Sequence, residues 1–154
     1  MEFMREIRIL AGGRGGGNED MLARTYLNRL PWKVSLVEVS APRAKSRKER
    51  LSRFADRFAA AIPESAFLVA LDERGKEFDS REFANRLQGW LAHARILAFA
   101  IGEADGLPPS ILARAGERLA LSRMTWPHLM VRAMLAEQLY RASTILSGHP
   151  YHRD

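Results

Sequence analysis

Apolar residues recur along this chain in two periods, one suited to strands and one to helices, and the two alternate from end to end. Ile7–Leu10 is a short apolar run that stops at the cluster Gly12-Gly13-Arg14-Gly15-Gly16-Gly17. It predicts a strand, with Asn18 as the N-cap of a helix reaching about Leu30 and closed by Pro31. Lys33–Val39 alternates apolar and polar positions, as a half-buried strand does. Ser46 opens a second predicted helix that turns Leu51, Phe54, Phe58 and Ile62 inward and keeps its outer face basic. Ala66–Leu71 and Ile96–Ile101 are apolar at every position, the pattern of strands covered on both sides. Between them, Asp79 and Glu82 have capping-box spacing and start a helix that buries Phe83, Leu87, Trp90 and Leu91. A glycine-containing turn then leads to a helix near Pro109–Ala115, a short fifth strand at Arg118–Leu121, and a long helix from Pro127 to about Leu146.

Strand–helix alternation with doubly apolar strands implies an α/β fold: a mostly parallel sheet covered by helices on both faces. No repeat or linker divides residues 1–154, so one domain is expected. The last helix is apolar most of the way round, with Val131, Leu135 and Leu139 on one side and Met130 and Met134 nearly opposite. Such a helix is either wedged within its domain or packed against a second subunit. The second option predicts a homodimer and brings the C-terminal tail of one chain near the surface of the other.

With no cysteine among its 154 residues, the chain can build neither a disulfide nor a thiolate metal site. This fits a reducing compartment. The opening MEFMREIRIL interrupts its apolar residues with charges and offers no small-residue cleavage site, so it is not read as a leader. No apolar run approaches the roughly 20 residues that span a bilayer. A cytoplasmic protein without membrane contact is therefore expected. The net charge of +6 is concentrated: Arg43, Lys45, Arg47, Lys48, Arg50, Arg53 and Arg57 face only Glu49 and Asp56 within one stretch. Clustered cations are the footprint of a phosphate-backbone binder, although a charge run also reads as a solvated helix face.

The glycine cluster follows a strand and precedes a helix, yet it lacks both the Gly-Lys-Ser/Thr ending and the G-x-G-x-x-G spacing of phosphate loops. A flexible or tight turn is the better reading. His149 and His152 stand three apart, but zinc needs three or four ligands, so no metal is expected. Glu137 and Arg141 have the i, i+4 spacing of a structural ion pair. The loops after the third, fourth and fifth strands tell more, because ligands of open parallel sheets bind outside the carboxyl ends of the strands.

Those loops carry a resemblance. Leu71-Asp72…Gly75-Lys76, Ile101-Gly102…Gly106-Leu107 and the closing SRMTWPHLMVRAMLAEQLYRASTILSGHPYHRD resemble the small SPOUT-class methyltransferases that methylate N3 of a pseudouridine in 23S ribosomal RNA on assembled ribosomes. The likeness runs nearly end to end. It implies a homodimer with a C-terminal trefoil knot, whose loops hold S-adenosylmethionine. Carried onto this chain, the cofactor contacts would be Leu71, Gly102, Leu121, Ser122, Arg123, Met124, Thr125 and Trp126. One departure stands out: Gly102-Glu103 replaces the family's usual pair of glycines, so either the Glu103 side chain points to solvent, the favoured expectation, or cofactor affinity is altered.

Methylation at N3 of a uracil-type ring requires removal of a proton that is not lost at neutral pH. Tyr151 can stack on or hydrogen-bond the base, His152 can accept a proton, and Arg153 can hold a phosphate or ring oxygen. His128, at the start of the last helix, is the competing base. Arg132 would hold RNA or the cofactor carboxylate, and Arg43, Lys45, Arg47, Lys48 and Arg50 would grip the RNA backbone. The tail is expected to fold over an active site, the partner's included. The rival reading is a non-catalytic RNA- or ribosome-binding factor on the same fold.

Overall fold

The computed structural model describes residues 5–154, so the first residues of MEFMREIRIL lie outside the described part. The described chain runs β1 (Glu6–Gly12), α1 (Asn18–Leu27), β2 (Lys33–Val39), α2 (Arg47–Ala61), β3 (Phe67–Glu77), α3 (Ser80–His93), β4 (Ile96–Ile101), α4 (Pro109–Arg114), β5 (Glu117–Ala120) and α5 (His128–Ser147). The strands form one sheet in the order β2-β1-β4-β3-β5, and every neighbouring pair is parallel.

Period-two alternation sorts the strand side chains into two cores. Ile9, Ala11, Val69, Leu97, Phe99 and Ile101 face α3 and α5. Leu10, Ala70, Ala98 and Ala100 face α2 and α4. Both faces are covered, which is why β3 and β4 read as unbroken apolar runs. A parallel sheet also leaves its loops segregated by edge, so those after β1, β3, β4 and β5 gather at one carboxyl edge.

Local signals hold where side chains cap helices. Ser46 accepts the Glu49 N–H at 3.1 Å, and Asp79 and Glu82 form the anticipated reciprocal cap before α3. Three expectations shift. Gly17, not Asn18, is the N-cap of α1, because Asp20 reaches back to take the Gly16 N–H at 2.8 Å. That helix ends at Leu27, with Asn28–Leu30 forming a turn before Pro31. Strand β3 also extends to Glu77, six residues past Leu71. Leu71 and Lys76 both pair with Leu119, so residues 72–75 bulge out of the ladder as a blister.

Helix α5 turns Leu135 and Leu139, both fully buried, toward the sheet. Its Ala133 and Ala136 meet Ala23 of α1. Met130, on another side, is left 41% exposed. The wedged reading thus describes the sides of this helix that meet the sheet and α1.

Candidate functional site

The blister after β3, the Gly102–Leu107 loop after β4, the run after β5 and the start of α5 enclose a cleft of about 450 Å³. Leu71, Gly102, Leu121, Ser122, Met124, Thr125, Trp126 and His128 all line it. Arg123, expected with them, turns away: its side chain is 88% exposed and lies 3.4 Å from Glu77. Gly102 is required sterically, since a Cβ there would sit 2.4 Å from the Gly106 carbonyl carbon. The final loop is pinned twice. Ser122 Oγ accepts the Met124 N–H at 2.9 Å, and Thr125 Oγ1 donates to Glu73 Oε2 at 2.7 Å.

Glu103 does not point to solvent. Its carboxylate accepts from Arg50 Nη2 at 2.8 Å, and its side chain rests against the end of β1. Arg50 also lies 3.6 Å from Asp105, and Arg47 lies 3.4 Å from the same carboxylate. Two cations of α2 are therefore tied to the loop after β4. Arg53 pairs with Glu49, and Arg57 bonds Ser40. The side chains of Arg43, Lys45 and Lys48 have no such partner among the described residues.

Arg132 corrects the sequence reading most sharply. It is 1% exposed and cannot meet RNA at the surface. One terminal nitrogen donates to the Gly12 and Gly13 carbonyls, each at 3.2 Å, and the other lies 3.3 Å from Asp20 and 3.5 Å from Glu38. The apolar length of α5 hid this: an arginine amid apolar residues signals a buried anchor as well as a ligand. The glycine cluster above it is no phosphate loop. The Gly15 N–H donates to Glu38 at 2.6 Å and the Gly16 N–H to Asp20, so carboxylates of the chain fill the amides an anion would need.

The tail is ordered and lies elsewhere. Tyr151 donates to Glu137 at 3.1 Å and packs edge-on against Tyr140 with ring centres 4.7 Å apart. Arg81 holds Asp154 through two bonds of 2.8 and 2.9 Å. Arg141 Nη1 is 3.1 Å from His152 Nδ1, and His152 Nε2 is 3.1 Å from Asp154. A guanidinium only donates, so Nδ1 accepts here and Nε2 carries the hydrogen. Burial, then the Tyr26 hydroxyl and the Glu137 carboxylate, raise the Tyr151 phenol above its ordinary range, and it remains a donor. Arg153 is exposed, with no ion pair or hydrogen bond among the described residues. Glu137 stands nine residues beyond His128 on α5, about 13 Å along the axis at 1.5 Å per residue. The structure thus separates His128 from Tyr151, His152 and Arg153 within one chain.

Beside the tail runs an apolar groove of about 820 Å³, lined by Leu22, Tyr26, Phe83, Met130 and Met134 among others. Among the described residues no helix is long and apolar enough to cross a membrane, and no group of three or more His, Asp or Glu could hold a metal.

A family model described as "Predicted SPOUT methyltransferase" matches residues 5–152. The chain belongs to the SPOUT methyltransferase family. Among its relatives, a "Ribosomal RNA large subunit methyltransferase H" from Gluconacetobacter diazotrophicus is 45% identical over 148 residues, covering 96% of this chain and 97% of that one. Another of that name, from Rhodospirillum centenum, is 49% identical over 133 residues, 86% of this chain and 88% of its own. Two solved structures share the fold alone. A probable methylase family protein from Haemophilus influenzae superposes with a TM-score of 0.59 at 15% identity, over 97% of this chain and 70% of its own. A methyltransferase from Legionella pneumophila, solved with the bound cofactor SAM, gives 0.54 at 10% identity, over 90% and 67%.

In this SPOUT methyltransferase the cleft lining combines apolar Leu71, Ile101, Leu107 and Leu121 with the carboxylates of Asp72, Glu73 and Asp105 and the cations of Arg74 and Arg118. That combination suits a flat heterocycle joined to a sulfonium cation. Sequence reasoning missed the cleft's charged lining, as well as Asp20 and Glu38 beneath the glycine cluster. Two carboxylates within three residues of a glycine run were the available signal for Asp20.

Proposed function

We propose that the protein transfers the methyl group of S-adenosylmethionine to N3 of a pseudouridine in 23S ribosomal RNA, working in the cytoplasm on assembled ribosomes. The observation that carries this reading is the single cleft that gathers the β3, β4 and β5 loops with His128, in a chain about 45% identical over nearly its whole length to relatives named for ribosomal RNA methylation. The unit is a knotted homodimer. Its interface is the apolar groove along α1 and α5, where Leu22 is 50% exposed and Met130 41%. Each tail then serves the partner's cleft, since about 13 Å of helix separates it from its own.

When bound, the cofactor supplies an electrophilic methyl; the chain supplies position and a proton acceptor. Leu71 and Leu121 pack the adenosyl group, and the close turn at Gly102 lets backbone approach it. His128 takes the N3 proton, because it lines the cleft. His152 serves less well, with Nδ1 facing a cation and Nε2 engaged by Asp154. Tyr151 and Arg153 orient the base and its phosphate. Arg43, Lys45 and Lys48 add backbone attraction without reading sequence.

Mass spectrometry of 23S ribosomal RNA from cells lacking the protein should show loss of one methyl on pseudouridine, restored by the wild-type chain. A chain truncated after Pro150 should restore it at least about a hundredfold more slowly while still binding cofactor. Unchanged rRNA in the deletion strain would favour the non-catalytic factor; full restoration by the truncation would remove the tail from the reaction.

A further inference from the structure

The glycine cluster is the sequence motif that neither the cleft nor the tail accounts for. Five glycines surround one side chain, Arg14. Glycine loses more conformational freedom on folding than any other residue, and this loop is held from several sides. The Gly13 N–H donates to the Val39 carbonyl at 2.9 Å. The Gly12 and Gly13 carbonyls accept from buried Arg132, and the Gly15 and Gly16 amides are taken by Glu38 and Asp20. Gly13 itself has φ +85°, a conformation that favours glycine.

What the scaffold presents is a free cation. Arg14 is exposed and has no hydrogen bond or ion pair among the described residues. Three carboxylates near the loop are engaged: Asp20 and Glu38 by Arg132 and loop amides, and Glu103 by Arg50. The loop also adjoins the cleft. A methyl group placed on Gly13 would lie 3.0 Å from Glu103 Oε1 and 3.4 Å from His128 Nε2, and both residues line that cleft. No side chain but that of Arg14 stands between Gly12 and Gly17 to fend off an approaching strand.

We infer that Arg14 is a positioning residue for the RNA substrate, gripping a backbone phosphate beside the target nucleotide. The inference rests on the function proposed above. A guanidinium offers paired donors that match phosphate geometry. Because the Gly13, Gly15 and Gly16 amides are spent, the anion meets the side chain and not a backbone nest. The rigid loop fixes the cation's place, so its loss affects RNA docking and leaves the cofactor pocket intact.

The test uses full-length wild-type, R14A and R14K proteins with ribosomes purified from cells lacking the enzyme. R14A should raise KM for ribosomes about tenfold with kcat within about twofold of wild type. Its dependence of log binding constant on log salt should be shallower by about one phosphate's share, roughly 0.7–0.9. R14K should recover most of the KM and the wild-type slope, because lysine keeps the charge. Cofactor affinity and oligomeric state should be the same in all three. Unchanged KM and slope in R14A would overturn the inference; so would weakened cofactor binding, an altered oligomeric state, or an R14K as impaired as R14A. A wild-type protein that methylates nothing in these ribosomes removes the proposed function and takes Arg14's role with it.

Discussion

The cleft at the head of α5 and the groove along its middle lie on one helix but are lined differently. Loops line the cleft, with carboxylates at its rim and ion pairs tying it to α2. Mostly helices line the groove, and its thioether, aliphatic and aromatic side chains are edged by polar groups such as Glu19, Asp79 and Glu137. A loop-built polar cleft can hold one small ligand with specific contacts. An apolar surface of methionine and leucine gains from excluding water over a broad area, which is what a second copy of the chain offers. In the dimer proposed above, the two hollows work together: a groove-to-groove contact carries each tail toward the partner's cleft.

The largest effect should follow from charging the groove. Met134→Asp, on the wall and away from the cleft, should yield monomers by light scattering and lower methyl transfer about a hundredfold or more, with cofactor still bound. A dimer that persists would separate groove from assembly. The loop side is probed by Arg132→Met, which leaves Asp20 buried without its cation and should cost about 3 kcal/mol in urea unfolding. A loss under about 1 kcal/mol would mean that the glycine loop holds itself. The smallest effect concerns acid. Arg81, then His152, hold the Asp154 carboxyl below its ordinary value. Its folded pKa is depressed, so its contribution is complete above the usual carboxylate range near about 4 and fades as pH falls through the lowered value. Hydrogen exchange at Tyr151–Arg153 should accelerate in that acid window; protection that persists well below it would assign the tail's order to Tyr151 packing instead.

The sheet was legible because Ala66–Leu71, at the start of β3, and β4 are apolar at every position, and only a doubly covered parallel strand rewards that pattern. Ser46 and Asp79 were legible because a capping side chain acts on neighbours within three residues. The cleft residues were carried by loop motifs at strand ends, and most of them do converge. Arg132 and Glu103 were misread for one physical reason. Whether a charged side chain faces solvent, ligand or a buried counter-charge depends on partners more than 50 residues away, Asp20 in one case and Arg50 in the other. No local period encodes such a meeting.

The blister in β3 has a consequence for divergence within the fold. Because Leu71 and Lys76 both register against Leu119, the strand rejoins its ladder after the excursion as though residues 72–75 had been left out. Insertions or replacements at Asp72–Arg74 can therefore reshape the mouth of the cleft without sliding the sheet, giving the scaffold a place to vary its target while its frame stays put.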